Sequence, residues 1–75
     1  MSFLAYKVGR CLLRYRLQQA GMSQQELSEK LGVTKQQINS YVLNKRMMSL
    51  RIAKNISSII NCNIEELYEW VEVGD

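Results

Sequence analysis

The amino-acid sequence predicts an all-α domain of five short helices. Helix-start chemistry recurs along the chain, and apolar residues recur at helical spacing inside each candidate segment. No run of strict apolar–polar alternation, no proline and no Pro/Gly-rich linker interrupts them. The chain has 75 residues, 47% of them hydrophobic and 23% charged, the balance of one ordinary globular domain over residues 1–75. A domain of this size buries only about 60% of the surface its unfolded chain exposes, so its stability is small and a partner chain is a common helper.

The first helix is expected near residues 4–20, where Val8, Leu12 and Tyr15 step at helical spacing with Leu13, Leu17 and Ala20 beside them. The second, near 24–31, opens with Ser23-Gln24-Gln25-Glu26. This is a capping box: the Ser hydroxyl accepts from a free backbone N–H and the Glu reaches back. Met22 and Leu27 form its hydrophobic staple, and Leu27 and Leu31 its core face. The third, near 35–43, repeats the box at Thr34-Lys35-Gln36-Gln37, with Val33 and Ile38 as the staple and Ile38, Tyr41 and Val42 facing inward. The fourth, near 50–60, is capped by Ser49 and carries the clearest stripe: Ile52, Ala53, Ile56, Ile59 and Ile60. The fifth, near 64–71, opens with Asn63-Ile64-Glu65-Glu66 and offers Ile64, Leu67, Tyr68 and Val71 to the core.

Several chemistries are excluded by composition. The chain has no histidine, so it has no His acid–base pair and no His metal ligand. Its two cysteines, Cys11 and Cys62, cannot close a four-ligand zinc site. They read either as one disulfide or, in a reducing cytosol, as two small buried hydrophobes. The four glycines form no phosphate-cradling loop. An enzyme is not expected, nor a cofactor or a small-molecule ligand. No apolar run is long enough for a membrane helix, and Lys7, Arg10, Arg14 and Arg16 break up any signal peptide.

The net charge of +3 hides a gradient. Residues 1–20 hold four cations and no acid, whereas residues 47–75 hold Arg51 and Lys54 against Glu65, Glu66, Glu69, Glu72 and Asp75. A basic body with an acidic tail suits a polyanion on one face; a solvated surface of mixed charge is the plain alternative. A membrane-surface role for the first helix fits less well, because its charges are few and its apolar stripe is needed inside.

The second and third helices are separated by almost nothing. Gly32 can take the left-handed conformation that stops a helix, Thr34 caps the next, and Val33 points inward. Two short helices joined by a three- or four-residue turn containing Gly form a helix-turn-helix, whose second helix can enter a DNA major groove about 12 Å wide.

Residues 22–50, MSQQELSEKLGVTKQQINSYVLNKRMMSL, resemble the helix-turn-helix of the Xre family, the Cro- and phage-repressor-like regulators, with Gly32, Val33, Thr34, Ile38 and Tyr41 in register. The motif core spans residues 22–46, and a looser likeness to the five-helix lambda-repressor-like domain extends over residues 5–71. The resemblance implies a cytoplasmic regulator of phage or bacterial origin, a repressor, that binds double-stranded DNA site-specifically. Two departures stand out. Where the family often pairs an Arg with a Glu, this chain has Leu17 and Val42, a change from a buried ion pair to packed hydrophobes that is often neutral or stabilising. Its Gly after the recognition helix is Asn44, the next most tolerant residue of the left-handed conformation.

With Ile38, Tyr41 and Val42 inward, the opposite face of the third helix carries the polar residues. The resemblance places base contacts at Lys35, Gln36, Asn39 and Ser40, with Gln37 at the edge. Lys suits guanine O6/N7; Gln and Asn suit adenine N6/N7. Phosphate contacts are expected from Gln24, which the helix N-terminus aids, from Thr34, and from the basic loop Asn44, Lys45 and Arg46. Arg10, Arg14 and Arg16 add to the field. The family's usual homodimer, formed at least on DNA, would use the surplus hydrophobes Met47, Met48, Trp70, Val71 and Val73. Trp70 could equally close the core, and Phe3 and Leu4 could cover the core or a partner. The rival reading is a protein-interaction module of the same fold, an antitoxin or antirepressor. The polar third helix favours DNA over it; Leu43 is the one residue that pulls the other way.

Overall fold

Side-chain caps start three of the four α-helices of the computed structural model, which describes residues 4–74. After a strand β1 (Leu4–Cys11) come α1 (Leu13–Ala20), α2 (Gln24–Leu31), α3 (Lys35–Val42) and α4 (Leu50–Ile60), then a short 3₁₀ turn (Ile64–Leu67) and a strand β2 (Tyr68–Gly74). Ser23 Oγ accepts from Glu26 N at 3.0 Å while the Glu26 carboxylate accepts from Ser23 N at 3.1 Å, so the box heading α2 is complete. Ser49 Oγ accepts from Ile52 N at 3.1 Å and starts α4. Thr34 Oγ1 accepts from Gln37 N at 3.1 Å, but the Gln37 side chain turns away, so α3 has half a box.

The two ends of the chain correct the five-helix, all-α expectation. Residues 4–11 and 68–74 pair as a two-stranded antiparallel sheet in place of the first two turns of the first expected helix and the last turn of the fifth. The expected box at Asn63 does form one arm, Asn63 N donating to Glu66 Oε1 at 2.7 Å, yet it heads only the 3₁₀ turn. The physical reason is cross-strand chemistry. Val8 faces Trp70, Lys7 faces Val71, Tyr6 faces Glu72 and Ala5 faces Val73, so every pair includes a β-branched or aromatic residue that suits a pleated surface. A helix through this segment would also have held Gly9 in its interior, at a cost of about 1 kcal/mol.

The register slips between Val8 and Cys11, where Gly9 and Arg10 together oppose Glu69. The bulge is clasped: Arg10 N and Arg10 Nε both donate to Glu69 Oε1, at 3.2 and 3.0 Å. That clasp holds the Glu69 carboxyl below its usual range. A two-stranded ribbon is marginal alone. Here its base is tied to the helices: Leu12 N donates to Leu67 O at 2.8 Å, Met48 N to Tyr68 Oη at 2.9 Å and Arg16 Nε to Glu66 O at 2.9 Å. The molecule measures 48 × 23 × 20 Å, elongated by the ribbon.

The core is Leu13 and Leu17 of α1, Leu27 of α2, Ile38, Tyr41 and Val42 of α3, Ala53, Ile56 and Ile60 of α4, with Met48 and Leu67. Tyr15, expected inside, is exposed. Leu17 and Val42, in place of the ion pair, both lie in this core. None of the described helices is long and apolar enough to cross a membrane.

At Gly9 an added Cβ would sit 2.9 Å from Glu69 Cβ and 3.2 Å from Glu69 O, closer than strand atoms tolerate. Gly9→Ala is expected to cost about 1–3 kcal/mol in urea unfolding and to speed amide exchange in both strands. Wild-type stability with unchanged strand protection would contradict the pairing.

Candidate nucleic-acid interface

The turn between α2 and α3 forms as its chemistry dictates. Gly32 takes φ +78°, and its N–H and that of Val33 both return to Ser28 O, at 2.9 and 3.1 Å. Val33 packs against the core, so α3 leaves α2 at a set angle. Burial of Ile38, Tyr41 and Val42 then turns the opposite face of α3 outward.

The five expected base-reading residues divide into two groups. Lys35, Gln36 and Asn39 are exposed and line one shallow depression. Gln37 and Ser40 are half-buried and committed inward. Gln37 Nε2 donates to the Tyr41 hydroxyl at 2.8 Å, and Ser40 Oγ donates to Gln37 O at 2.6 Å. The Tyr41 hydroxyl, the polar tip of a buried ring, needs such a partner, which the capping-box reading of Gln37 overlooks.

The expected phosphate contacts lie at the starts of α2 and α3 and on the loop after α3. Gln24 opens α2 and is half-buried. Thr34 Oγ1 accepts the cap hydrogen bond and keeps its own proton to donate. Asn44 takes φ +61°, the left-handed conformation expected of it, and its Oδ1 accepts from Cys11 N at 2.8 Å. Lys45 and Arg46 follow on the exposed loop, and neither has an ion-pair partner among the described residues. The exposed Lys35, Gln36 and Asn39, with Lys45 and Arg46 on the loop that follows α3, offer donors and positive charge, which suits phosphate and the acceptor-rich edges of purines.

The expected interface hydrophobes need one correction. Met48 is buried in the core, its backbone N–H donating to the Tyr68 hydroxyl, and only its edge lines an apolar groove with Met47 and Trp70. Met47, Trp70, Val71 and Val73 are exposed, and so are Leu50 and Tyr6, which the sequence reading passes over. Leu50, at the first turn of α4, is 79% exposed. Trp70 Nε1 donates to Glu65 O at 2.7 Å, which fixes the indole beside an apolar groove shared with Val8, Met47, Leu50 and Ile64. Phe3 lies outside the described residues. Cys11 and Cys62 are free, and burial pushes both thiols up, away from the reactive thiolate. Among the described residues no group of His, Cys, Asp and Glu could hold a metal ion.

A helix-turn-helix family model matches residues 13–67. The chain is 40% identical over 65 residues to an SPβ prophage-derived HTH-type transcriptional regulator of Bacillus subtilis (strain 168), YopS, covering 85% of this chain and 88% of that protein. A second SPβ prophage-derived HTH-type transcriptional regulator of the same strain, YotL, is 42% identical over 50 residues, covering 65% of this chain and 62% of that protein. An HTH-type transcriptional regulator of Archaeoglobus fulgidus is 40% identical over 48 residues, covering 64% of this chain and 69% of that protein. The chain belongs to the helix-turn-helix family, as the resemblance of residues 22–50 implies.

Asn44 joins the end of α3 to β1 in two ways, and substitutions can separate them. Asn44→Gly keeps the left-handed backbone and loses the hydrogen bond, an expected cost of about 1 kcal/mol in chemical denaturation. Asn44→Ala adds left-handed strain, about 1–2 kcal/mol more. Equal costs for the two would show that the backbone conformation contributes nothing.

Proposed function

We propose that this helix-turn-helix protein is a transcriptional regulator, a repressor, that reads double-stranded DNA by laying α3 in the major groove. The observation that carries this is the exposed trio Lys35, Gln36 and Asn39 on the helix that follows the Gly32 turn, flanked by the uncompensated cations Lys45 and Arg46. In this reading Lys35 donates to guanine, and Gln36 and Asn39 pair with adenine or donate to guanine. Gln37 holds Tyr41 in place and Ser40 adds a weaker edge contact. Gln24, Thr34, Asn44, Lys45 and Arg46 hold the phosphates and set the register. The protein binds and does not catalyse, and it acts in the cytoplasm, where the DNA is. The prophage-derived relatives favour a phage or prophage origin.

One module reads only a few base pairs, so the working form is a homodimer, at least on DNA, with half-sites about 34 Å apart. Met47, Leu50, Trp70 and Val8 supply its apolar contact. A protein-interaction module is the weaker reading: Leu43 is exposed at the end of α3, but the rest of the outward face is polar.

Two experiments test these roles. Selection from a random duplex library at about 0.15 M salt should return a two-fold symmetric motif. Gln36→Ala should relax the preference, whereas Lys45→Ala should weaken all sequences alike and lower the salt slope by about 1. The same change from both would refute the division of labour. For the dimer, sedimentation on a symmetric duplex should give two protomers per site. Leu50→Glu, an acid placed where a helix N-terminus welcomes it, should abolish the cooperativity and leave the fold intact. Two protomers binding independently in the wild type would overturn the dimer.

A further inference from the structure

The basic residues near the start of the chain sort into committed and uncommitted groups. Arg10 is held by Glu69. Arg16 donates to Glu66 O at 2.9 Å and to Gln19 Oε1 at 2.9 Å, with the Glu66 carboxylate 3.8 Å away. Arg14 is exposed and has no ion-pair partner among the described residues. It flanks the buried Leu13 and Leu17 on α1, with Gln18 one turn on.

Arg14, Tyr15 and Gln18 of α1 line a cleft with Leu43 and Asn44 at the end of α3 and with Arg10 and Cys11 at the end of β1, where the Arg10 charge is taken up by Glu69. No acid lines it. Its polar groups are poised as donors. Asn44 Oδ1 is occupied by Cys11 N, which leaves the Nδ2 amide protons outward. The Tyr15 hydroxyl accepts from Gln19 Nε2 at 3.0 Å, which leaves its proton to give. Gln18 adds an amide and Arg14 a planar fork of N–H groups carrying a full charge. A phosphodiester offers the converse: acceptors only, and one negative charge.

We propose that this cleft binds a backbone phosphate of duplex DNA, with Arg14 as its cation and Tyr15, Gln18 and Asn44 as supporting donors. The proposal rests on the DNA-reading function above and extends its footprint to α1. Geometry supports the placement. Eight residues of α3 span about 12 Å, about the width of the major groove. Thr34 caps the N-terminal end of α3 and the cleft lies at its C-terminal end, a placement that suits phosphates on the groove's two opposite backbones.

The test uses the full chain and a fluorescent random-sequence duplex of about 21 base pairs, with affinity followed from about 50 to about 200 mM salt. Arg14→Ala should flatten the salt slope by about 0.9 and weaken binding about 5- to 10-fold near 0.1 M salt. It should leave the thermal melt and the base preference of α3 unchanged. Arg14→Lys should restore most of the slope, and Arg51→Ala, on α4 outside the cleft, should match the wild type. On a duplex carrying the selected motif, replacing the flanking phosphates one at a time with neutral methylphosphonate should reveal one whose loss weakens the wild type and leaves Arg14→Ala unaffected. A wild-type slope in Arg14→Ala alongside a reduced slope in Lys45→Ala would overturn the cleft. An equal fall in Arg51→Ala would do so too, by assigning the effect to the overall field. A wild type with no salt-dependent retention of duplex would overturn the DNA-reading function itself.

Discussion

The seating of α3 is the constraint on which the rest of the molecule depends. Ile38 is fully buried and Tyr41 and Val42 nearly so, each worth about 1.5–3 kcal/mol of apolar burial. Three anchors on so short a helix leave it one rotational setting. The turn at Gly32 sets its entry and the left-handed Asn44 its exit, so both ends are fixed by backbone conformations that most residues avoid. Replacing the family's common ion pair with Leu17 and Val42 lets α1 and α3 share a wholly apolar core, with no charge to desolvate. The outward residues gain their positions from this: Lys35, Gln36 and Asn39 are presented by a rigid element whose energetics lie on the other side.

The ribbon serves the same end. Its base closes the core. Leu67, fully buried, hands its carbonyl to Leu12 N at the point where β1 becomes α1. Tyr68 supports Met48 through its hydroxyl, and β1 ends on the Asn44 side chain. The loop carrying Lys45 and Arg46 is therefore bracketed by two hydrogen bonds to the ribbon's base. Pairing the chain ends is how a domain this small finds extra stability within its own chain.

The helix-turn-helix was legible in the sequence because its determinants are local. A cap, a glycine and a staple lie within about ten residues of one another, and each acts where it stands. The ribbon was not, because its partners lie at opposite ends of the chain. Val8, Leu12 and Tyr15 do fall at helical spacing, and only the pairing with Trp70 and Val71 makes the segment a strand. Signals were present: Gly9 in a helix interior, the short alternation Val71-Glu72-Val73, and opposite charges on the two segments. Each is weak alone. Of the candidate site, the exposed polar face of α3 and the basic loop were visible, but the hydrogen bonds that commit Gln37 and Ser40 were not. That depends on a buried tyrosine hydroxyl and a helix carbonyl, which no spacing announces.

The charge gradient takes on a different meaning in the folded chain. Read along the sequence, a basic start and an acidic tail suggest one surface of each sign. In the fold the two segments meet, and Glu69 and Glu66 take up Arg10 and Arg16. Part of the apparent basicity is thus spent on holding the ribbon to α1. Arg14, Lys35, Lys45 and Arg46 have no such partner among the described residues, and they sit around α3 and its two ends. Hydrogen bonding sorts the polar side chains in the same way: Thr34 and Asn44 each give an acceptor to the fold and keep donors for solvent. These hydrogen bonds occupy acceptors at the two ends of α3 and leave donors there beside Lys35, Lys45 and Arg46. A surface selected in that manner is complementary to a polyanion before any particular base is considered.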